Sequence, residues 1–400
     1  MDISEILHSL KNLAVTLKRT GGGATLSTQE RVASWLTVNL AEEPAMYRTM
    51  TAEQGHALAL VALDLFDLLA KEPHGQFTCV PHEILLLLAN GVPGSLARLY
   101  PELLQRDLGF GETSFFREAD PATRDALIAF LESGQKSAFY RLEELLVALA
   151  WIDDEVVRHQ FQRWQQDPPV WAASLYRTPA WFTRRAGWEL TPEGKRRDLY
   201  FQENYDIVPL AQASGLDLSG PLAVAAMQEE RCGWCDRPLM TLFDIDLRDG
   251  RMAFFGIEGE RLRIPMCLNC SFEYSFGDEH VFMEVDWFGR ASWSPLNGAP
   301  PVDLHIYEEG DVNYVPPFPP PSFVLGAARR TPYECRGGHL GGSPDWPQQD
   351  ADYPRCPVCH QTMLFLGQHD LNYIPLLGFE GYLYAFVCIA CQKATIVQQH

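Results

Sequence analysis

"RCGWCDRPLMTLFDIDL", residues 231–247, and "RCPVCHQTMLFLGQHDL", residues 355–371, align without a gap. The arginine, both cysteines, Leu242 with Leu366, Asp246 with Asp370 and Leu247 with Leu371 coincide. Each stretch carries a Cys-x-x-Cys pair, and each is followed by another: Cys267 and Cys270 after 31 intervening residues, Cys388 and Cys391 after 28. A Cys-x-x-Cys turn, or knuckle, aims two thiolates at one ion, and two knuckles joined by strands give the tetrahedral four-sulfur shell that zinc prefers, at about 2.3 Å. The spacing therefore predicts two zinc-ribbon-like units related by duplication. One Zn2+ is expected on Cys232, Cys235, Cys267 and Cys270, the other on Cys356, Cys359, Cys388 and Cys391.

Four thiolates leave no coordination position for water, so the expected role of both ions is structural. Because the ligands bind deprotonated, each loaded site carries a net charge of about -2. A thioredoxin-like redox pair is the competing reading; it requires a βαβ setting and normally a single motif. Iron–sulfur ligation and unpaired free thiols would also use cysteines spaced in this way. His360, His369, Cys335 and His339 lie near the second pair of knuckles and are candidate substitute ligands.

The chain has 400 residues, 46% of them hydrophobic, which is enough for two or three domains with substantial cores. No run approaches the ~18 consecutive apolar residues of a membrane span. The start, "MDISEILHSL", lacks the basic flank and apolar centre of an export signal. A cytoplasmic protein is expected, and in that reducing compartment ten cysteines point to metal rather than disulfides. The formal charge of -20 is uneven: residues 1–200 contribute -6 and residues 201–400 contribute -14. Such a surface repels phosphate backbones and attracts basic partners.

The first half reads as helices. Residues 56–71 space their apolar positions by three and four. "PHEILLLLANG" has Pro81 near its start and Gly91 at its end, and Asp120 before Pro121 reads as an N-cap with a first-turn proline. "SAFYRLEELLVALAWI" and "DDEVVRHQFQRWQQD" follow, the second stopped by Pro168 and Pro169. Short helices on short turns are expected to stack as antiparallel, repeat-like pairs, with an irregular bundle as the alternative. Trp164, Trp171, Trp181 and Trp188 are expected to pack between helices.

From about Leu210 the texture changes to short β-favouring runs: "LMTLFDIDL", "MAFFGI", "VFMEVDWF", "MLFLGQ" and "YLYAFVC". The expected organisation is an α+β protein. An α-helical domain spans 1–209, followed by a β-rich module over 210–400 with zinc units at about 225–311 and 323–400. The proline-rich stretch 315–322 joins those units.

Other candidates for chemistry are thin. "PHEILL" offers His82 and Glu83, but Leu86 stands where a metalloprotease needs its second histidine. Cys79 with His82 could be imagined as a nucleophile and base, against the commoner buried inert thiol. Arg184, Arg185, Lys195, Arg196 and Arg197 form the one basic concentration, open to nucleic-acid binding or to pairing with nearby acids. No catalytic residue is predicted.

"HLGGSPDWPQ" at 339–348, followed by Cys356, Cys359 and the ending "YLYAFVCIACQKATIVQQH", resembles the YwqG-like family of uncharacterised bacterial proteins. Gly341, Gly342, Pro344, Trp346 and the four cysteines carry the resemblance, over roughly 220–400. "ALAWIDDEVVRHQFQRW" is similar to helical-repeat modules of the HEAT type. The resemblance implies no established enzymatic activity, and it implies a place among immunity proteins of bacterial toxin systems. The resulting expectation is a non-enzymatic binding protein, an immunity protein meeting a basic toxin or effector domain, with Glu308, Glu309 and Asp311 among candidate surface acids. The alternative is a zinc-ribbon protein associated with nucleic acid or ribosomes.

Overall fold

The computed structural model describes residue 47 and residues 49–69, 79–106, 113–133, 139–210, 220–273, 280–302, 304, 323–333, 337–347, 351–371 and 381–399. The prolines of 315–322, the acids Glu308, Glu309 and Asp311, and Cys335 lie outside them. The chain divides into two compact units, Met1–Arg196 and Arg197–His400.

In the first unit α1 (Ala52–Leu69) opens on a reciprocal cap: the Gln54 N–H donates to Thr51 Oγ1 and the Thr51 N–H to Gln54 Oε1. Two orphan backbone donors are thereby satisfied at once. Helix α2 (Cys79–Gly91) buries Ile84, Leu85 and Leu88 completely, and the short α3 (Tyr100–Gln105) buries Tyr100 and Leu103. Asp120 caps α4 (Pro121–Glu132) by accepting from the Thr123 N–H at 2.7 Å, and Thr123, Leu127 and Leu131 form its buried stripe. Helix α5 (Phe139–Ile152) is buried at every position from Leu145 to Ala150, which places it in the middle of the helical core. Asp154 caps α6 (Glu155–Gln166), accepting from the Val157 N–H at 2.9 Å.

The tryptophans pack as expected. Trp164 meets Phe161 and Trp171 edge to face at 5.4 and 5.2 Å, Trp181 meets Phe182 at 5.3 Å, and the Trp188 indole N–H donates to the Ala150 carbonyl at 2.8 Å. Each ring contributes apolar area, and the fully buried Trp188 keeps its polar edge paired.

Two short strands, β1 (Trp188–Leu190) and β2 (Arg196–Asp198), follow in the chain. The second unit is antiparallel throughout its named ladders. Strands β4 (Leu222–Arg231), β5 (Pro238–Asp246) and β6 (Arg261–Met266) form a three-stranded sheet in that order. The larger sheet uses β3 (Phe201–Pro209), β7 (Phe282–Val285), β8 (Ala291–Trp293), β9 (Phe323–Ala328), β10 (His339–Gly342), β11 (Leu364–Asp370), β12 (Tyr382–Cys388) and β13 (Lys393–Gln399). Its order is β8-β7-β13-β12-β11-β10-β3-β9.

Alternation along β11 and β12 sends side chains to two cores. Leu366, Leu383 and Ala385 join Leu242, Phe243 and Ile264 of the small sheet in one apolar cluster. Phe365, Tyr384 and Phe386 join Tyr353 and Met363 in a second. A central strand buried on both faces reads as a continuous apolar run, as "YLYAFVC" does.

Three sequence expectations are revised. The units meet between Arg196 and Arg197, not at 209/210, because β3 is a strand of the large sheet, held between β9 and β10 from far downstream. The zinc units at 225–311 and 323–400 are not separate sheets, since β7 pairs with β13. "MAFFGI" is not a strand: Gly250–Phe255 is a 3-10 turn, capped by Asp249 accepting from the Arg251 N–H and ended by Gly256 at φ 60°.

Candidate metal centres

The first knuckle sits in the hairpin between β4 and β5. The Cys232 N–H donates to the Arg237 carbonyl at 2.8 Å and the Asp236 N–H to the Cys232 carbonyl at 3.0 Å, closing a loop around the sulfur. The Trp234 N–H points at Cys232 Sγ, 3.4 Å away. The second knuckle runs from the end of β6 into α7 (Cys270–Glu273), where the Cys270 N–H points at Cys267 Sγ, also at 3.4 Å. Backbone donors aimed at sulfur stabilise thiolates. Cys232 and Cys270 sulfurs lie 3.6 Å apart, and those of Cys235 and Cys267 3.5 Å apart.

The second site repeats this construction. The Cys356 N–H donates to the Gln361 carbonyl and the His360 N–H to the Cys356 carbonyl, both at 2.9 Å. Cys388 ends β12 and Cys391 lies in the turn to β13; the sulfurs of Cys359 and Cys388 are 3.7 Å apart. In each set all four ligand atoms lie within 4.8 Å of one another. Four soft sulfur donors at this spacing suit a divalent ion of the zinc class. All eight cysteines named from the sequence are thus assembled as two sets of four.

The duplication extends to strand register. Between β5 and β6 the partners are Met240 with Met266, Thr241 with Pro265, Phe243 with Ile264, Asp244 with Arg263, Ile245 with Leu262 and Asp246 with Arg261. Between β11 and β12 they are Leu364 with Val387, Phe365 with Phe386, Gly367 with Ala385, Gln368 with Tyr384, His369 with Leu383 and Asp370 with Tyr382. Each pair is the other displaced by 124 positions on one strand and 121 on the next, the same displacements that relate the cysteines. The register shift falls at the same place, around Leu242 and around Leu366. Strand β4 likewise corresponds to β10, since Ala223 faces Asp244 as His339 faces Gln368.

Four sulfhydryls in contact cannot all ionise without an ion. The Cys235 thiol is pushed down, chiefly through its hydrogen bond with Cys232, while Cys270 is pushed up, chiefly through its own with Cys232. A dication among them removes that conflict.

The histidines considered as substitutes belong to neither set. His360 is exposed in the knuckle turn at φ 57°. His339 is buried with Nε2 3.1 Å from the Ser343 carbonyl, and burial, with Arg329 nearby, holds its pKa well below the usual value. His369 is buried against Phe323, ring centroids 4.4 Å apart, and burial lowers its pKa to about 3. Both are neutral core residues. His82 packs on Phe115 at 5.2 Å, and burial lowers its pKa; the Cys79 side chain lies outside the described residues.

The "HLGGSPDW" element has a structural task. The Gln368 side chain accepts from the Asp345 N–H at 2.9 Å and donates to the Gly337 carbonyl at 3.0 Å, and Trp346 stacks on Tyr384 at 4.9 Å. The basic stretch is largely paired within each unit: Arg184 with Glu189 at 3.0 Å, Arg196 with Asp153 at 2.7 Å, Arg197 with the Thr362 carbonyl at 2.6 Å.

Two contributors were not read from the sequence. Arg231 donates to the Asp236 carbonyl and Arg355 to the His360 carbonyl, clamping equivalent turns; the coincident arginines were the visible signal. Trp293, from β8, covers the first knuckle, for which the sequence offers no local signal.

No family model matches the chain, and no solved structure matches it. The protein named "Uncharacterized protein YpfL" of Salmonella typhimurium is 32% identical over 364 residues, covering 88% of this chain and 79% of that one. Aligned length on that scale takes in both compact units, and the chain belongs to the YpfL family.

Proposed function

We propose that the two four-cysteine sets hold structural Zn2+ and that the protein acts in the cytoplasm by binding another protein, as an immunity protein that masks a basic toxin or effector domain. The observation that carries the structural role of the ions is the closed donor set: four sulfurs within 4.8 Å in each site suit a full tetrahedral shell with no position for a reacting group. Among the described residues no helix is long and apolar enough to cross a membrane. The resemblance of the zinc module to YwqG-like proteins and of the helical half to HEAT modules supports the same reading.

Charge supports the nature of the partner. The chain is formally -20, and several arginines of its basic stretch are occupied by internal acids and carbonyls. Glu229, Glu230, Glu258 and Glu260 are exposed on the zinc module. Such a field accelerates encounter with a basic cleft and repels nucleic acid. The test is co-expression with the product of a neighbouring toxin-like gene. Relief of growth arrest with a salt-sensitive complex is expected; neither protection nor complex would overturn the proposal.

A further inference from the structure

The two centres share a backbone but not a surrounding. In the first, Cys232, Cys267 and Cys270 are buried and Cys235 is half-buried. Its knuckle lies under an indole: a Cβ on Gly233 would stand 2.4 Å from Trp293 Cδ1 and Nε1, so only glycine fits there. Trp234 packs on Trp293 at 5.1 Å and is tethered by its indole N–H to the Gly298 carbonyl at 3.1 Å. In the second site Pro357 and Val358 replace Gly233 and Trp234. Val358 is 52% exposed, Cys359 and His360 are exposed, and Cys391 is half-buried. Only Cys356 and Cys388 are buried there.

We propose that Cys359 is a thiol-modification site and that the second centre is the exchangeable, hydroperoxide-sensitive one, while the first retains its ion. This rests on the reading that both sets hold zinc. Access decides the order: a metal-bound thiolate reacts only where an oxidant reaches its sulfur. The Cys359 thiolate attacks the terminal oxygen of a hydroperoxide; the S–O bond forms, the O–O bond breaks and an alkoxide or hydroxide leaves, giving the sulfenic acid. The thiolate of Cys388, whose sulfur is 3.7 Å away, then attacks Cys359 sulfur, forming the disulfide and expelling hydroxide. Two thiolates lose two electrons to the peroxide bond, and an ion stripped of two of its four ligands leaves.

The experiment treats the zinc-loaded full chain with hydrogen peroxide while a metallochromic dye follows released zinc and thiol labelling with peptide mass spectrometry follows the cysteines. One equivalent should leave at least about tenfold faster than the other, with Cys359 joined to Cys388 and Cys232, Cys267 and Cys270 still reduced. Trp293→Ala should bring the slow equivalent towards the fast one. Two equivalents leaving together from the wild type, or oxidation of the first set before the second, would overturn the inference alone. A folded chain carrying no metal at the outset would overturn the zinc reading as well.

Discussion

Asp236 and His360, 124 positions apart, hold the same left-handed conformation, φ 57° in both, and each gives its carbonyl oxygen to the arginine that precedes its knuckle, Arg231 or Arg355. One turn geometry built twice from different side chains shows that the backbone, not the residue, is what the metal loop requires.

A left-handed turn takes glycine most readily, accepts aspartate and histidine better than most other side chains, and tolerates a β-branched residue worst. Asp236→Gly and His360→Gly are expected to retain metal and melt at or above the wild-type temperature. Asp236→Val and His360→Val should each cost about 1–2 kcal/mol and speed metal loss to a chelator. Thermal melts and chelator-competition rates check both pairs.

Gly341, at φ 71°, would place a Cβ 2.0 Å from the Glu203 carbonyl oxygen, where β10 passes β3. Gly341→Ala is expected to lose about 1–3 kcal/mol in denaturant unfolding, through strain and a displaced ladder. An unchanged midpoint would contradict the described pairing.

His369 is expected to shape the acid limb of stability. Its ring is completely buried, and that burial outweighs the backbone of Asp370 and holds its pKa at about 3 against an ordinary 6.5. As pH falls below 6.5 the unfolded chain takes up a proton that the folded chain refuses. Stability therefore drops towards pH 3, by up to about 1.4 kcal/mol per pH unit from this group. Ile245 occupies the equivalent position on the strand that follows the first knuckle, so His369→Ile should flatten the slope from about pH 6.5 to about pH 5. Denaturant unfolding of both proteins across that range measures the difference.

What the sequence made legible follows from how local each signal is. The cysteine pairs, the Asp120 cap with Pro121 and the apolar spacing of α1 are specified within a few residues, and the structure matches them. The domain edge was misplaced because the partners of β3 lie more than a hundred residues downstream, at β9 and β10. "MAFFGI" has strand composition, but the Asp249 cap and the glycines around it decide for a 3-10 turn. Trp293 reaches the first knuckle through tertiary packing alone.

Elemental analysis of the purified full chain, together with X-ray absorption at the zinc edge, decides whether the two cysteine sets are metal centres. Two zinc ions per chain are predicted, each with four sulfurs at about 2.3 Å. A fully folded chain without metal, or a nitrogen or oxygen ligand in either shell, would contradict that prediction.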